Sequence, residues 1–392
     1  MKNKITPFAI NGKNLYDIFN QDLLGLVERQ KEVKQLMYAF LIKEHLLLTG
    51  PAGTGKSLFA QNAFEAIDGA KTFSIHLTKQ TTEEYVFGPL NIVELKKGNI
   101  IHNTTNSLLD ADFAFIDEFF DASDVLLRSL LGILNERLWM KGSQQIKAKL
   151  HTAILTSNYK RENEITQAIM DRIVFKAEIQ PIKNKGSRIN MYKNFINPKK
   201  VISKIMPIKK LIEMSEIIIH PNTISFDKDI LDAYDLVVEA YQKELKNKYI
   251  SDRTKNKALK VMKASAIINN RDKVDFDDIS ELKYIFCTIN NRIEEEYFDV
   301  VFEKYIGNIA ETREITKELD NIDKSFKKMD KDFTNMKDLK FINTMRDLTA
   351  YLKALKELHY PNKNLEKKAD LLSNGISDII NNNRDLLFKR TS

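Results

Sequence analysis

The sequence predicts an α/β fold, an αβα sandwich with a parallel sheet, followed by an all-α lid and a C-terminal helical hairpin. Three observations predict it. The apolar run Leu46-Leu47-Leu48 leads into Gly50-Pro51-Ala52-Gly53-Thr54-Gly55-Lys56-Ser57, and a helix-compatible stretch from Leu58 to Ala66 follows, giving strand, phosphate loop and helix in that order. A second apolar run, Phe113-Ala114-Phe115-Ile116, delivers the adjacent carboxylates Asp117 and Glu118 to a strand end, where ligands collect in open α/β sheets. Beyond Leu211 the patterns are helical, ending in apolar steps of four and three. The resulting division is a nucleotide domain over residues 1–180, a basic linker over 181–210, a helical lid over 211–310 and a helical hairpin over 311–392.

Composition narrows the function classes. At 392 residues, 43% hydrophobic and 29% charged, the chain matches a globular protein of several domains. No run approaches the ~18 apolar residues of a membrane span, and Met1 to Thr6 lacks the apolar centre of a signal peptide, so the expected location is the cytoplasm. A single cysteine, Cys287, excludes an internal disulfide and a multi-cysteine zinc site, and no His-x-x-x-His pair supports a histidine metal centre. The net charge of +7 is concentrated between Pro181 and Lys210, which holds nine Lys or Arg and no Asp or Glu. With Pro181, Gly186, Pro198 and Pro207 in it, this stretch reads as a solvated linker, or as a contact for nucleic acid or an acidic partner.

The phosphate loop carries its own chemistry. Gly50, Gly53 and Gly55 lack a Cβ, so the backbone can turn several N–H groups toward one phosphate chain at the positive end of a helix. Lys56 supplies a compact positive charge for the β- and γ-phosphates, and the Ser57 hydroxyl is placed to ligate Mg²⁺. Asp117 suits the same Mg²⁺, usually through water, and Glu118 suits polarisation of an attacking water.

The other elements follow in chain order. Asp22 to Arg29 precedes a helix with Val33, Leu36, Met37, Phe40 and Leu41 on one face. Lys71 to Leu77 alternates as a second strand, and Val93 to Gly98 with Asn99 to His102 reads as a β-hairpin about Lys96-Lys97-Gly98-Asn99. Ser123 caps a helix with Leu126, Leu127, Leu130, Leu131 and Leu134 inward, and Arg137 to Ile146 reads as another hairpin turning at Lys141-Gly142-Ser143. Thr152 to Ser157 is a strand closing on Asn158, either a phosphate or water sensor or a turn former. Arg172 is either a transition-state cation or a surface arginine paired with Asp171. Ser251 opens a lid helix whose inner stripe is Ala258, Val261, Met262 and Ala266, placing Arg253 in a first turn from which it could reach a phosphate in the adjoining cleft. The last eighty or so residues have the 3.5 repeat of a helical hairpin packed as a coiled coil, an arm for a partner or a bundle finishing the monomer.

Taken together, these motifs resemble the AAA+ ATPases and, within them, the MoxR family, most closely its RavA-type branch. Four stretches carry the resemblance: Gly50 to Ser57, Thr81 to Ile92, Phe115 to Glu118 with Leu134 to Arg137, and Ile250 to Thr254 with Ala264 to Ala266 and Arg271. It implies ATP as the nucleotide, Asp117 and Glu118 as Walker B, Asn158 as sensor 1, Arg253 as sensor 2, and Arg172 as a finger inserted into a neighbour's site. In such ATPases a short Gly-containing stretch packs on the adenine, for which Leu24, Gly25 and Leu26 are the candidates against a plain turn. It also implies a homo-hexameric ring with sites at subunit boundaries, a von Willebrand factor A partner and a protein client remodelled or matured by hydrolysis. The two predicted hairpins match insertions that face the pore or a client. One departure is plain, since RavA-type proteins carry a β-rich insertion in the C-terminal helical domain and no such stretch lies between Arg313 and Ser392. The rival readings are a nucleic-acid motor, less favoured because no recognisable binding module accompanies the basic stretch, and a nucleotide-gated scaffold holding a partner through its tail.

Overall fold

The computed structural model describes residues 9–10, 13–14, 25–141, 144–159, 161, 164–197, 206–246, 248–329, 333–334, 336–358, 360 and 363–391. The chain forms two compact units, Met1–Val301 and Phe302–Ser392.

In the first unit the elements are α1 (Gln30–Leu41), β1 (Leu46–Thr49), α2 (Lys56–Glu65), β2 (Thr72–His76), α3 (Glu83–Phe87), α4 (Ile92–Lys96), β3 (Phe113–Asp117) and α5 (Asp124–Glu136). Then come the strand pair β4 (Leu138–Lys141) and β5 (Gln144–Lys147), β6 (Thr152–Ser157), α6 (Glu164–Arg172), β7 (Phe175–Glu178) and α7 (Lys185–Ile196). The lid follows with α8 (Ile208–Ile219), α9 (Lys228–Glu244), α10 (Asp252–Ile268) and β8 (Thr288–Ile289). The main sheet has the order β8-β7-β1-β6-β3-β2 and every pairing is parallel. Leu46 to Leu48 and Thr152 to Ser157 are buried on both faces, as central strands covered by helices must be. Register aligns Thr49 with Ser157 and Ile116 with Leu155, so β1, β6 and β3 end side by side. That shared edge is where the phosphate loop, Asp117-Glu118 and Asn158 meet.

Local signals set several elements. Ser123 accepts a hydrogen bond from the Leu126 amide (3.3 Å) and Ser251 from the Thr254 amide (3.3 Å), so both caps sit where the sequence places them. The lid joins the sheet in two ways: β8 adds its short strand to β7, and Lys257 of α10 forms a largely buried ion pair with Glu44 (2.8 Å) just before β1.

Three expectations are corrected. Residues 93–102 do not form a β-hairpin: Asn91 accepts from the Val93 and Glu94 amides and starts α4, and only the bridge between Leu90 and His102 closes the excursion. Capping prevails there because the apolar pairs Ile92-Val93 and Ile100-Ile101 are too short to fix strands. The stretch 181–210, read as a solvated linker, carries a helix, since Asn184 accepts from the Gly186 and Ser187 amides and nucleates α7. The predicted 142–143 turn lies outside the described residues, although β4 and β5 pair antiparallel on either side of it.

The third correction concerns the second unit. Instead of a two-helix coiled coil, α11 (Asn308–Lys328), α12 (Asp338–Glu357) and α13 (Lys363–Asn382) pack around Leu319, Phe341, Leu348 and Ile376, with the short α14 (Arg384–Thr391) against α12 and α13. A 3.5 repeat names the buried face of each helix but not how many helices share it. The stripe breaks at Met329, which leaves the helical conformation.

A buried polar cluster braces the ends of β1 and β6. Arg137, in left-handed conformation after α5, donates to the carbonyls of Leu134 (2.7 Å), Lys43 (2.6 Å) and Leu150 (2.9 Å). His45 Nδ1 accepts from the Ala153 amide at 2.8 Å. Burial, reinforced by Arg137 and Lys257, holds His45 well below the usual histidine range. Burial, with Lys43 and Arg137, pushes His151 down to about 3. Both are therefore neutral when folded, whereas in the unfolded chain they titrate near ~6.5. Their stabilising effect is complete above that value and is lost as pH falls, by about 1.4 kcal/mol per pH unit per histidine. Glu32 and Asp278, raised by burial, act in the opposite sense nearer the carboxylate range. Urea midpoints at pH 7.5 and 5.5 should therefore differ, with lower stability at pH 5.5, and His151→Gln should remove part of the difference. Equal midpoints for the unaltered protein would contradict this account.

Candidate active site

The phosphate loop is built by backbone demands. Gly50 has φ +148°, and a Cβ there would lie 2.2 Å from the Ile179 carbonyl oxygen, so any side chain would push β1 and the segment after β7 apart. Gly55 is left-handed (φ 85°, ψ 21°) and starts α2, leaving the first N–H groups of that helix open to an anion. Lys56 is buried and donates to the carbonyls of Gly50 (2.7 Å) and Pro51 (3.0 Å) and to Asn158 Oδ1 (2.8 Å). Burial lowers its ammonium below the usual lysine range, against the opposing pull of Glu118 and Asp117.

Asn158 links the two halves of the site. Its Oδ1 receives Lys56, and its Nδ2 donates to Glu118 Oε1. Glu118 itself is left-handed (φ 49°, ψ 47°), a conformation that costs a non-glycine residue about 1–2 kcal/mol and is found at functional sites. Asp117 is fixed by two donors on Oδ1, the Thr156 hydroxyl and the Glu118 amide (3.1 Å), while Oδ2 lies 3.6 Å from His76 Nδ1.

These groups open onto one cavity of about 340 Å³, lined by residues 52–58 with Asp117, Glu118 and Asn158. Ser57 and Asp117 share its wall. A hydroxyl with one carboxylate is the donor set that suits Mg²⁺ when phosphate oxygens complete the shell.

A larger adjoining cavity, about 710 Å³, is walled by Gly25, Leu26 and Val27, the Pro51 to Gly55 turn, and Pro181, Met191 and Phe195. Of the three candidate base contacts, Gly25 and Leu26 thus line it, and Leu24 lies outside the described residues. The α7 wall was hidden from sequence reading because the basic residues masked Met191 and Phe195. Arg29 and Thr156 were missed too, since each acts on a residue distant in sequence.

The remaining predicted cations are elsewhere. Arg253 lines neither cavity and pairs with Asp171 at 2.9 Å, where the start of α10 meets the end of α6. Arg172 ends α6, donates to its own helix at the Ala168 carbonyl (2.9 Å), and lines neither cavity.

A strand-loop-helix phosphate cradle beside a strand carrying two carboxylates, with an asparagine strand end bridging them and a helical lid behind, defines an AAA+ nucleotide fold. Comparison with known proteins agrees. Residues 13–196 match the family described as the MoxR domain in the MoxR-vWA-beta-propeller ternary systems, and residues 229–296 match an AAA lid domain. Two Methanocaldococcus jannaschii proteins of uncharacterized function, MJ0079 and MJ0812, are each 30% identical to the chain. The first aligns over 301 residues, 75% of this chain and 76% of the relative, and the second over 313 residues, 78% and 80%. A crystal structure of a candidate ATPase from Cytophaga hutchinsonii superposes with a TM-score of 0.57 at 21% identity, covering 74% of this chain and 93% of that one. The chain belongs to the MoxR family of AAA+ ATPases. Among the described residues no helix is long and apolar enough to cross a membrane.

Gly50→Ala tests the cradle. The clash with Ile179 should lower thermal stability, by about 1–3 kcal/mol if the strands can shift apart, and Gly375→Ala, in a helix where the new Cβ would meet only the Phe326 ring at 3.7 Å, should cost less. Equal melting temperatures for the two variants would contradict the close approach.

Proposed function

We propose that this protein is a ring-forming ATPase that couples ATP hydrolysis to remodelling or maturation of proteins or complexes, in concert with a von Willebrand factor A partner. The observation that carries the reading is the hydrogen-bonded Lys56–Asn158–Glu118 chain on one cavity, which suits the roles of phosphate-binding cation, sensor and general base. In this reading the base lies in the larger cavity against Leu26 and α7, and the phosphates lie along the N–H groups of residues 53–57. Lys56 exchanges its carbonyl partners for phosphate oxygens. Glu118 accepts a proton from the attacking water while Asn158 holds its carboxylate in place. Mg²⁺, held by Ser57 and Asp117, would neutralise phosphate charge.

The ring is supported by what the cavity lacks. Its walls supply one lysine and no arginine among the described residues, yet phosphoryl transfer gains strongly from a second fixed cation. Arg172 and Arg253 stand together at the α6–α10 surface through Asp171, suited to reach an adjacent subunit's phosphates.

The partner reading rests on the family description, which names MoxR–vWA–β-propeller systems. The α3–α4 excursion and the β4–β5 pair suit client contact. Glu83 accepts from Lys141 and Ser129, the His102 amide donates to Gln144 (2.9 Å), and Tyr85, Ile92, Val93 and Met140 stand exposed on the joined pair.

Glu118→Gln should retain ATP binding and lose turnover about 100-fold or more, whereas Lys56→Ala should lose both. Steady-state phosphate release with equilibrium nucleotide binding measures this, and a Glu118→Gln protein that turns over at the unaltered rate sinks the assignment. Arg172→Ala should bind ATP normally and hydrolyse it about 1,000-fold more slowly, and the unaltered protein's turnover per chain should rise with concentration as subunits meet. Full turnover by Arg172→Ala, or turnover independent of concentration in a monomer shown by light scattering, would exclude the shared site.

A further inference from the structure

Arg29 is almost wholly buried, although it lies in the short segment before α1 where an exposed turn would be expected. Its guanidinium gathers three backbone carbonyls, one from its neighbour in the chain and two from distant segments. Nη1 donates to Glu28 (2.8 Å), and Nη2 donates to Gln180 (3.0 Å) and Thr54 (3.3 Å). Glu28 takes a left-handed conformation (φ 54°) as it offers its carbonyl. The three segments meet at the larger cavity, which Arg29 itself lines.

The Thr54 contact has a stereochemical corollary. A trans peptide is planar, so its C=O and N–H point in opposite directions, and the described chain contains no cis bond. With the Thr54 oxygen held by Arg29, the N–H of the same peptide, which belongs to Gly55, is turned away from Arg29. Two earlier loop carbonyls, Gly50 and Pro51, are held by Lys56, and Pro51 also accepts from the Thr54 hydroxyl (2.8 Å). Without the guanidinium, glycine at position 55 leaves that peptide free to rotate, and a carbonyl turned toward an anion repels it.

We propose that Arg29 is a positioning residue for nucleotide binding: it fixes the Thr54–Gly55 peptide with its N–H toward the phosphates and ties the phosphate loop to the wall of the base cavity. A lysine cannot replace it, because one ammonium centre on a flexible stem lacks the planar fork that spans separate carbonyls. The inference rests on the nucleotide-site reading above.

The test is calorimetric titration of Mg-ADP and Mg-ATP into the unaltered protein, Arg29→Ala, Arg29→Lys and Lys56→Ala, with ligand-free melting curves and steady-state kcat and KM for each. Arg29→Ala should weaken both nucleotides about tenfold or more, Arg29→Lys should fail to restore them, and KM should rise far more than kcat falls. Should Arg29→Ala not fold, Arg29→Lys carries the test alone. Unchanged affinity in a folded Arg29→Ala or Arg29→Lys, even with a lowered melting temperature, overturns the inference and leaves only a structural role. Absence of nucleotide binding by the unaltered protein instead overturns the site reading, and this inference falls with it.

Discussion

The site depends on parallel strand pairing that carries three unrelated sequence stretches to one edge. β1 pairs with β6 and β6 with β3, so Gly50, Asn158 and Asp117 emerge as neighbours although scores of residues separate them in the chain. Side-chain contacts then complete what pairing begins. Asn158 touches Lys56 with one end and Glu118 with the other, and Thr156, one pleat back, holds Asp117. A slip of a single residue between β6 and β3 would turn Thr156 to the wrong face and break this arrangement.

Much of this is legible in the sequence because its signals are local. Leu46 to Ser57 states strand, turn and helix within a dozen residues, and Ser123 and Ser251 state helix starts by their own hydrogen bonds. Asp117-Glu118 is recognisable from the apolar strand it ends. What could not be read is tertiary. Arg29 recognises carbonyls at Thr54 and Gln180, and nothing beside it in the chain announces them. The 92–102 excursion was ambiguous for another reason, since Ile92 and Val93 favour strand while Asn91 offers a cap, and the cap prevailed. In the C-terminal unit the apolar stripe was correct for most positions, yet Phe326 and Met329 are only partly covered and a third helix shares the core.

The lid's placement separates the molecule from the simple picture of a helical cap closing over nucleotide. No residue after Arg188, Met191, Asn194 and Phe195 of α7 lines the larger cavity among the described residues. The lid is instead fastened to the nucleotide domain through Lys257 to Glu44, Arg253 to Asp171 and Lys34 to Glu281 (2.8 Å). The shortest link between the two runs through α1, whose Lys34 and Gln35 reach Glu281 and the Tyr284 carbonyl, while Arg29 just before it holds the Thr54 carbonyl.

The outer position of Thr288–Ile289 in the sheet has a practical corollary for anyone dissecting the chain. The pair occupies the free flank of β7, where amides and carbonyls would otherwise face water as a template for a second chain. A fragment cut before the lid would retain the whole phosphate cradle but carry that bare flank, and its first failing in the test tube would be self-association rather than loss of chemistry.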